Sequence, residues 1–209
     1  MNNMVNVISV ANQKGGVGKT TTTINLAASI ADRGYRVLIV DIDPQGNATS
    51  GLGIEKSEID QDIYNVLIDE IPIQDTIHHT STPKLDMVPA TINLSGAETE
   101  LISMMARETR LKSALDAISD QYDFVFIDCP PSLGQLSINA FTASDSILIP
   151  VQSEYYAMEG LSQLLNTIRL VQKHFNKDLG VEGVLLTMLD ARTNLGAEVV
   201  KEVQSYFSK

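Results

Sequence analysis

Apolar residues fall in short runs of strand length that recur along the whole chain. Most of these runs are apolar at consecutive positions rather than at alternate ones, which is typical of strands that are buried on both faces of a sheet. The runs predict strands at residues 5–11, 36–42, 85–89, 124–129, 146–151 and 184–188.

Between the strands lie stretches whose apolar residues are three and four positions apart, the spacing that places them on one face of a helix. They predict helices at residues 20–32, 98–119, 132–143, 158–175 and 197–207. Segment 46–82 has looser helical spacing that Pro72 interrupts, and we expect short helices there that cap one edge of the sheet. The alternation of strands and helices predicts an α/β fold, with a mostly parallel, twisted sheet and helices on both faces.

The extent of the domain follows from length and composition. No repeat and no proline- and serine-rich linker divides the 209 residues, and 44% of them are hydrophobic, so one core and a single domain over residues 1–209 are expected. A doubly wound sheet ordinarily continues beyond a helix such as 197–207 to another strand. We therefore expect a C-terminus that is truncated relative to the complete fold.

Composition excludes several classes of protein. The only cysteine, Cys129, rules out an intramolecular disulfide and a paired-cysteine metal site, and we interpret it as a small buried thiol because no base or cation is adjacent. No run approaches the roughly 18 apolar residues of a membrane span, and no signal peptide is visible, so a cytoplasmic protein is expected. The net charge of −11 repels nucleic acid at long range, so DNA binding requires a local basic patch or one formed when two subunits associate.

The first predicted strand leads into a glycine-rich segment, Lys14-Gly15-Gly16-Val17-Gly18-Lys19-Thr20-Thr21, which a predicted helix follows directly. Glycines let backbone N–H groups turn inward around an anion, and the helix N-terminus adds a positive dipole, so this context predicts a phosphate-binding loop. Lys19 would reach the β and γ phosphates, and the Thr20 hydroxyl would bind Mg²⁺. The common form of this loop has glycine six residues before its lysine, whereas Gln13 stands there in this chain and Lys14 adds a cation at the entrance.

Two carboxylates, Asp41 and Asp43, follow the second predicted strand. Ligands of open α/β sheets bind at the carboxyl ends of the strands, so both residues are expected at the edge that carries the phosphate loop. We expect different roles for them, because Asp41 lies at the end of the predicted strand and Asp43 lies just beyond it. Asp43 is predicted to orient the attacking water, and Asp41 to support the loop or the water shell of the metal. The alternative is a strand-end turn before Pro44 with no catalytic role.

The strand at 124–129 is apolar up to Asp128, which is the Walker B arrangement. Mg²⁺ needs oxygen ligands and keeps several of its waters, so one carboxylate at a strand tip suffices. We predict that Thr20, Asp43 and Asp128 form the metal site. Pro130-Pro131 stiffens the exit from the strand and is predicted to sense the γ phosphate.

Other charged groups are expected to be structural. His78 and His79 lie in a polar segment without a ligand cluster, and we interpret them as an exposed turn. Arg107, Arg110 and Lys112 alternate with acids on a predicted helix, which indicates a solvated face rather than a DNA-binding one.

Four segments together resemble the ParA/Soj family of chromosome and plasmid partitioning ATPases, which are P-loop NTPases. They are the loop at 14–20, Asp41-Ile42-Asp43-Pro44-Gln45-Gly46-Asn47, Asp128-Cys129-Pro130-Pro131-Ser132 and Thr187-Met188-Leu189-Asp190-Ala191-Arg192-Thr193. The resemblance covers essentially the whole chain and is close to the chromosomal Soj branch, which lacks an N-terminal DNA-binding domain. It implies a deviant Walker A ATPase that uses ATP/ADP and Mg²⁺ and forms a homodimer with ATP. It further implies that this dimer binds non-specific DNA on the nucleoid until a ParB-type centromere-binding protein stimulates slow hydrolysis.

The resemblance also implies individual roles. Lys14 would reach across the dimer interface to the partner's phosphates, and Gly15 would lie where that interface is tightest. Lys14, Lys19 and Asp43 would be required for hydrolysis, and Arg192 would contact DNA non-specifically. The other loop positions that would hold the nucleotide are Gly16, Val17, Gly18, Thr20 and Thr21.

Family members of this branch continue into another strand, an adenine-contacting Pro-Arg-Asn loop, a second DNA-binding arginine and a terminal helix, none of which this sequence contains. Three alternatives remain open. A MinD-like, membrane-associated ATPase switch would need a basic amphipathic C-terminal helix, but residues 198–209 are mixed in charge, so no membrane partner is expected. A relative of nitrogenase iron protein would need more cysteines, and an inert relic would bind no nucleotide.

Overall fold

A computed structural model describes residues 5–152 and 157–189 of the chain. The strands are β1 (Asn6–Val10), β2 (Val37–Asp41), β3 (His78–His79), β4 (Leu85–Val88), β5 (Phe124–Asp128), β6 (Ser146–Gln152) and β7 (Gly180–Thr187). They form one sheet in the order β3-β4-β2-β5-β1-β6-β7. The predicted helix at 197–207 and Arg192 lie outside the described residues.

The sheet is parallel at every described pairing except that of β3 with β4, which is antiparallel. This confirms the predicted mostly parallel sheet, but the interpretation of His78 and His79 as a turn was wrong. His79 pairs with Asp86 across the two strands, and its Nδ1 lies 2.7 Å from Oδ1 of Asp86. A strand of two residues is too short to show any periodicity in the sequence, which is why the pattern missed it.

The helices are α1 (Lys19–Asp32), α2 (Asn47–Gly51), α3 (Ile63–Ile68), α4 (Leu94–Glu100), α5 (Arg110–Asp116), α6 (Gln135–Ala143) and α7 (Ala157–His174). Short 3₁₀ turns lie at Lys56–Glu58, Ile73–Thr76 and Leu101–Ser103. The expected short helices between residues 46 and 82 are therefore present. Among the described residues, no helix combines the length and the apolar character needed to cross a membrane.

The single helix predicted at 98–119 was wrong, because the chain turns between α4 and α5. Ala106 in this turn has a left-handed backbone with φ of 53°, which a continuous helix cannot contain. Arg110 does not lie on a solvated face either: its side chain is only 14% exposed and its guanidinium lies 2.8 Å from Oε1 of Glu70. The sequence pattern placed Arg107, Arg110 and Lys112 on one helix. In the structure Arg107 precedes α5, and the three side chains contact different acids.

Buried side chains pack on both faces of the sheet, because successive strand residues point to opposite sides. In β2, Leu38 and Val40 belong to a large core cluster that also includes buried residues of α3 to α7. Val37 and Ile39 belong to a smaller cluster that includes buried residues of α1 and α2. Helices therefore cover both faces, as predicted.

The order of the strands brings the candidate chemistry together. β5 lies between β1 and β2, and Asp128 at its end is in register with Val10 of β1 and with Asp41 of β2. The loop after β1 and the acids at the ends of β2 and β5 consequently meet at one edge of the sheet, where ligands of such folds bind.

Candidate functional site

The loop between β1 and α1 has the conformation of an anion-binding loop. Gly16 and Gly18 have positive φ values of 74° and 87°, which glycine adopts without strain. Val17 between them is 1% exposed and anchors the loop in the protein. A Cβ atom on Gly15 or Gly16 would meet no heavy atom within 4 Å, so this side of the loop faces open space.

Asn12, which the sequence reasoning missed, holds the entrance of the loop. Its Oδ1 accepts a hydrogen bond from the backbone N–H of Lys14 at 3.0 Å, and its Nδ2 donates to the carbonyl of Pro150 at 2.7 Å. Asn12 thereby ties the loop to the end of β6. Its position just before the glycine-rich segment was the one available signal, since asparagine commonly bonds to backbone groups two residues on.

Lys19 opens α1 and is buried, with 7% of its surface exposed. Its Nζ donates to the carbonyl oxygen of Lys14 at 3.2 Å, so the side chain bends back over the loop. Burial lowers the pKa of Lys19, while the nearby Asp128 and Asp43 oppose this shift. An anionic ligand in the loop would stabilise the ammonium form of this lysine.

Asp128 is fully buried and accepts two hydroxyl groups from α1. Thr20 Oγ1 donates to Oδ2 at 2.7 Å, and Thr23 Oγ1 lies within 3.0 Å of Oδ1, a contact that the sequence reasoning did not foresee. The Thr20 hydroxyl donates its hydrogen bond to Asp128, so the lone pairs of its oxygen remain available to a cation. A hydroxyl and a carboxylate are the hard oxygen ligands that Mg²⁺ prefers, so this pair fits the predicted metal site.

Asp41 and Asp43 have different surroundings, because Asp41 is the last residue of β2 and Asp43 lies in the turn that follows it. Asp41 is fully buried, and its carboxylate accepts hydrogen bonds from the Thr49 hydroxyl at 2.8 Å and from the N–H groups of Thr49 and Asp43 at 2.9 and 3.1 Å. The Thr49 hydroxyl in turn accepts the N–H of Ala90 at 3.0 Å. Asp41 therefore holds the backbone that carries Asp43. No feature of the sequence predicted that Thr49 would bond to Asp41.

Asp43 lines the cavity beside the phosphate loop, and 7% of its surface is exposed. Its Oδ1 accepts the N–H of Gln45 at 2.9 Å, and its carbonyl accepts the N–H of Gly46 at 2.8 Å. This turn before α2 fixes the carboxylate at the edge of the cavity. A turn is present at the end of the strand, as in the alternative interpretation. This turn places the Asp43 carboxylate at the cavity.

Burial raises the pKa values of Asp41 and Asp128, and a neighbouring carboxylate adds to each shift. Burial, followed by the charge of Asp128, raises the pKa of Asp41 to about 7. Burial also raises the pKa of Asp128 to about 6, against the two threonine hydrogen bonds. Because a neighbouring negative charge disfavours the ionised form of each carboxyl, a cation bound beside Asp128 would lower both pKa values. This electrostatic arrangement fits a divalent metal.

A cavity of about 440 Å³ joins these groups, a volume within the range of small-molecule sites, roughly 300–1,000 Å³. Its walls are formed by Gly15, Gly16, Gly18, Lys19, Thr20, Thr21, Asp43, Gln45, Asn47, Pro131 and Met188. Lys14 does not line this cavity, whereas the other predicted loop residues and Asp43 meet at it, with Val17 buried behind it and Asp128 held against Thr20. Gln45, Asn47 and Met188 are additions to the predicted set.

Known proteins match both the sequence and this fold. A family model described as an AAA domain matches residues 5–181. Over 204 residues the chain is 64% identical to the sporulation initiation inhibitor protein Soj of Bacillus subtilis (strain 168), a match that covers 98% of this chain and 81% of that protein. The chain belongs to the ParA/Soj family.

A second ParA/Soj relative agrees with this assignment, and a solved structure shares the fold. The chromosome partitioning protein ParA of Myxococcus xanthus (strain DK1622) is 56% identical over 203 residues, which cover 97% of this chain and 72% of that protein. The structure of cobyrinic acid a,c-diamide synthase from Mycobacterium smegmatis, with bound ADP and magnesium, superimposes with a TM-score of 0.93 at 40% identity. That superposition covers 98% of this chain and 83% of the other. The predicted ParA/Soj family and its P-loop NTPase fold are confirmed.

Proposed function

We propose that this chain is an ATP-dependent dimerisation switch with weak ATPase activity that acts in chromosome or plasmid partitioning. The ATP-bound dimer binds DNA non-specifically, and hydrolysis, stimulated by a ParB-type partner, returns the protein to its monomeric form. Membership of a family of partitioning ATPases supports the biological role. The observation that supports the dimer mechanism is an exposed glycine, Gly15, beside Lys14 in the phosphate loop.

Gly15 has no local reason to be glycine. Its φ is not in the left-handed region, and a Cβ atom there would meet no heavy atom within 4 Å of the same protomer. Glycine is commonly kept where another backbone or a ligand approaches closely. An exposed glycine at the mouth of the cavity, next to a lysine, therefore fits an interface with a second subunit whose lysine enters the site.

The same residues account for nucleotide binding. The loop amides and Lys19 would hold the phosphates, and Thr20, Asp43 and Asp128 would hold Mg²⁺, which when bound neutralises phosphate charge. The structural neighbour that holds ADP and magnesium supports this assignment. We propose ATP/ADP and Mg²⁺ as the ligands of a single domain over residues 1–209.

Hydrolysis in this proposal depends on Asp43 and on Lys14 supplied by the partner. Asp43 lies on the cavity wall, where a carboxylate can orient a water molecule for attack on the γ phosphate. A lysine supplied by the partner would neutralise charge that develops on the phosphates, so that hydrolysis depends on assembly. Nucleotide state and oligomeric state are thereby coupled.

DNA binding is proposed for the dimer alone. With a net charge of −11, a single subunit repels DNA at long range, and the proposed binding surface is a basic patch formed when two subunits associate. Arg192 is the proposed contact. A cytoplasmic protein that associates with the nucleoid only when ATP is bound would follow.

Replacing Gly15 with valine tests the interface. We expect Gly15→Val to abolish the ATP-dependent increase in mass measured by sedimentation. Because Gly15 also lines the cavity, ADP affinity is measured on the same variant, and retained binding assigns the loss of mass to the interface. Gly183→Val is the matched control, since a Cβ on Gly183 in β7 also meets no atom within 4 Å. It should leave dimer formation unchanged. A Gly15→Val dimer of normal stability would contradict the proposed interface.

A further inference from the structure

The end of β7 reaches the phosphate loop although β7 lies two strands away from β1 in the sheet. The Thr187 hydroxyl donates a hydrogen bond to the carbonyl oxygen of Val17 at 2.9 Å, between residues 170 positions apart in the sequence. Met188, the next residue, forms part of the cavity wall. The final residues of β7 therefore belong to the structure of the nucleotide site.

The hydrogen bond to the Val17 carbonyl also affects the direction of the next N–H group in the loop. In a trans peptide the C=O and N–H bonds point in opposite directions, so holding the Val17 oxygen also directs the Gly18 N–H away from β7. Gly18 lines the cavity, and its N–H is one of the loop amides that a phosphate would meet. One hydroxyl group thus sets the direction of one anion-binding amide.

The Val17–Gly18 peptide needs a contact from outside the loop, because the adjacent residues do little to fix its orientation. A flip of the Val17–Gly18 peptide changes ψ of Val17 and φ of Gly18, and glycine accepts φ of either sign at little cost. Gly18 is also the N-cap of α1, and no side chain caps the helix there. The backbone alone would therefore permit both orientations of the peptide.

Thr187 suits this task through both branches of its side chain. While the hydroxyl bonds to Val17, the methyl carbon lies 3.6 Å from the position that a Cβ atom on Gly18 would occupy. Contacts at both branches fix χ1 of Thr187, because a β-branched side chain has few rotamers. The two contributions can be separated by substitution, since serine keeps the hydroxyl and valine keeps the shape.

We propose that Thr187 is a positioning residue of the phosphate loop, which holds the Val17–Gly18 peptide in the orientation that binds phosphate. This inference rests on the proposed binding of ATP/ADP at this site. It gives the end of β7 a role in nucleotide affinity that does not require contact between Thr187 and the nucleotide.

Affinity for ADP with Mg²⁺, measured by calorimetry on the full chain, tests the role of Thr187. We expect Thr187→Val to weaken binding about fivefold to tenfold, the effect of losing one hydrogen bond, and Thr187→Ser to stay within about twofold of the original protein. Because the hydrogen bond is present without nucleotide, Thr187→Val should also lower the urea midpoint slightly, so affinity is compared where both proteins are fully folded, a condition under which a purely structural role would leave affinity unchanged.

Three results would overturn the proposal. They are unchanged affinity in Thr187→Val, an equal loss in Thr187→Ser, and a loss of affinity that merely follows a loss of stability. If the original protein itself fails to bind ADP, the proposed function fails together with this inference. If it binds normally and Thr187→Val does too, only the role of Thr187 is wrong.

Discussion

Replacing Asp43 with alanine is expected to slow ATP hydrolysis by about 100-fold or more, the usual contribution of a positioned general base. ATP affinity should stay within about threefold, because Lys19 and the loop amides that would bind the phosphates are untouched. Single-turnover hydrolysis of labelled ATP and equilibrium binding measure the two quantities separately. We expect the Asp43→Ala variant to bind ATP and to remain in the ATP-bound state.

Asp43→Asn is the control for loop geometry. An asparagine Oδ1 can still accept the N–H of Gln45, which Asp43 now accepts at 2.9 Å, but the side chain no longer carries the negative charge that orients water. We expect Asp43→Asn to be as slow as Asp43→Ala. Normal hydrolysis in Asp43→Asn would show that the residue only shapes the turn, and normal hydrolysis in both variants would remove it from the mechanism.

Replacing Gly46 with alanine is expected to destabilise the protein by about 3 kcal/mol, because strain and overlap add at this position. Gly46 has φ of 57°, and a Cβ atom there would lie 2.5 Å from the carbonyl oxygen of Ala90. Relief of this overlap must move the turn that carries Asp43, since the Gly46 N–H donates to the Asp43 carbonyl at 2.8 Å. Urea unfolding measures the loss, and a lower hydrolysis rate should accompany it.

Gly53 provides the comparison, because it shares the positive φ without the crowding. Its φ is 78°, and a Cβ atom there would meet nothing within 4 Å. Gly53→Ala should therefore cost about 1 kcal/mol from backbone strain alone and leave hydrolysis unchanged. Equal unfolding free energies for the two variants would contradict the proposed overlap at Gly46.

The main features of the site could be predicted because they depend on local pattern. Strand-length apolar runs that end in Asp41 and Asp128, and a glycine-rich loop before a helix, place their groups at one edge of a parallel sheet by topology alone. These features need no knowledge of which distant side chains meet.

The supporting contacts could not be predicted in the same way, because they join residues far apart in the chain. Thr187 bonds to the loop across 170 positions, and Thr49 occupies the space between Asp41 and Ala90 only once β2 and β4 are paired. Thr23 was within reach of prediction, since it lies three residues after Thr20 on the same face of α1. Arg110 was misplaced because a turn at Ala106 interrupts the expected helix.

The central claim is that two subunits complete one nucleotide site through Lys14. The most direct measurement is the mass in solution, by sedimentation, of Asp43→Ala and of the double variant Lys14→Ala with Asp43→Ala, each with ATP and with ADP. Slow hydrolysis in this background keeps ATP intact during the experiment. We predict that Asp43→Ala is a dimer with ATP and a monomer with ADP, and that the double variant binds ATP but stays monomeric. A monomer of Asp43→Ala with bound ATP, or a dimer of the double variant, would contradict the account.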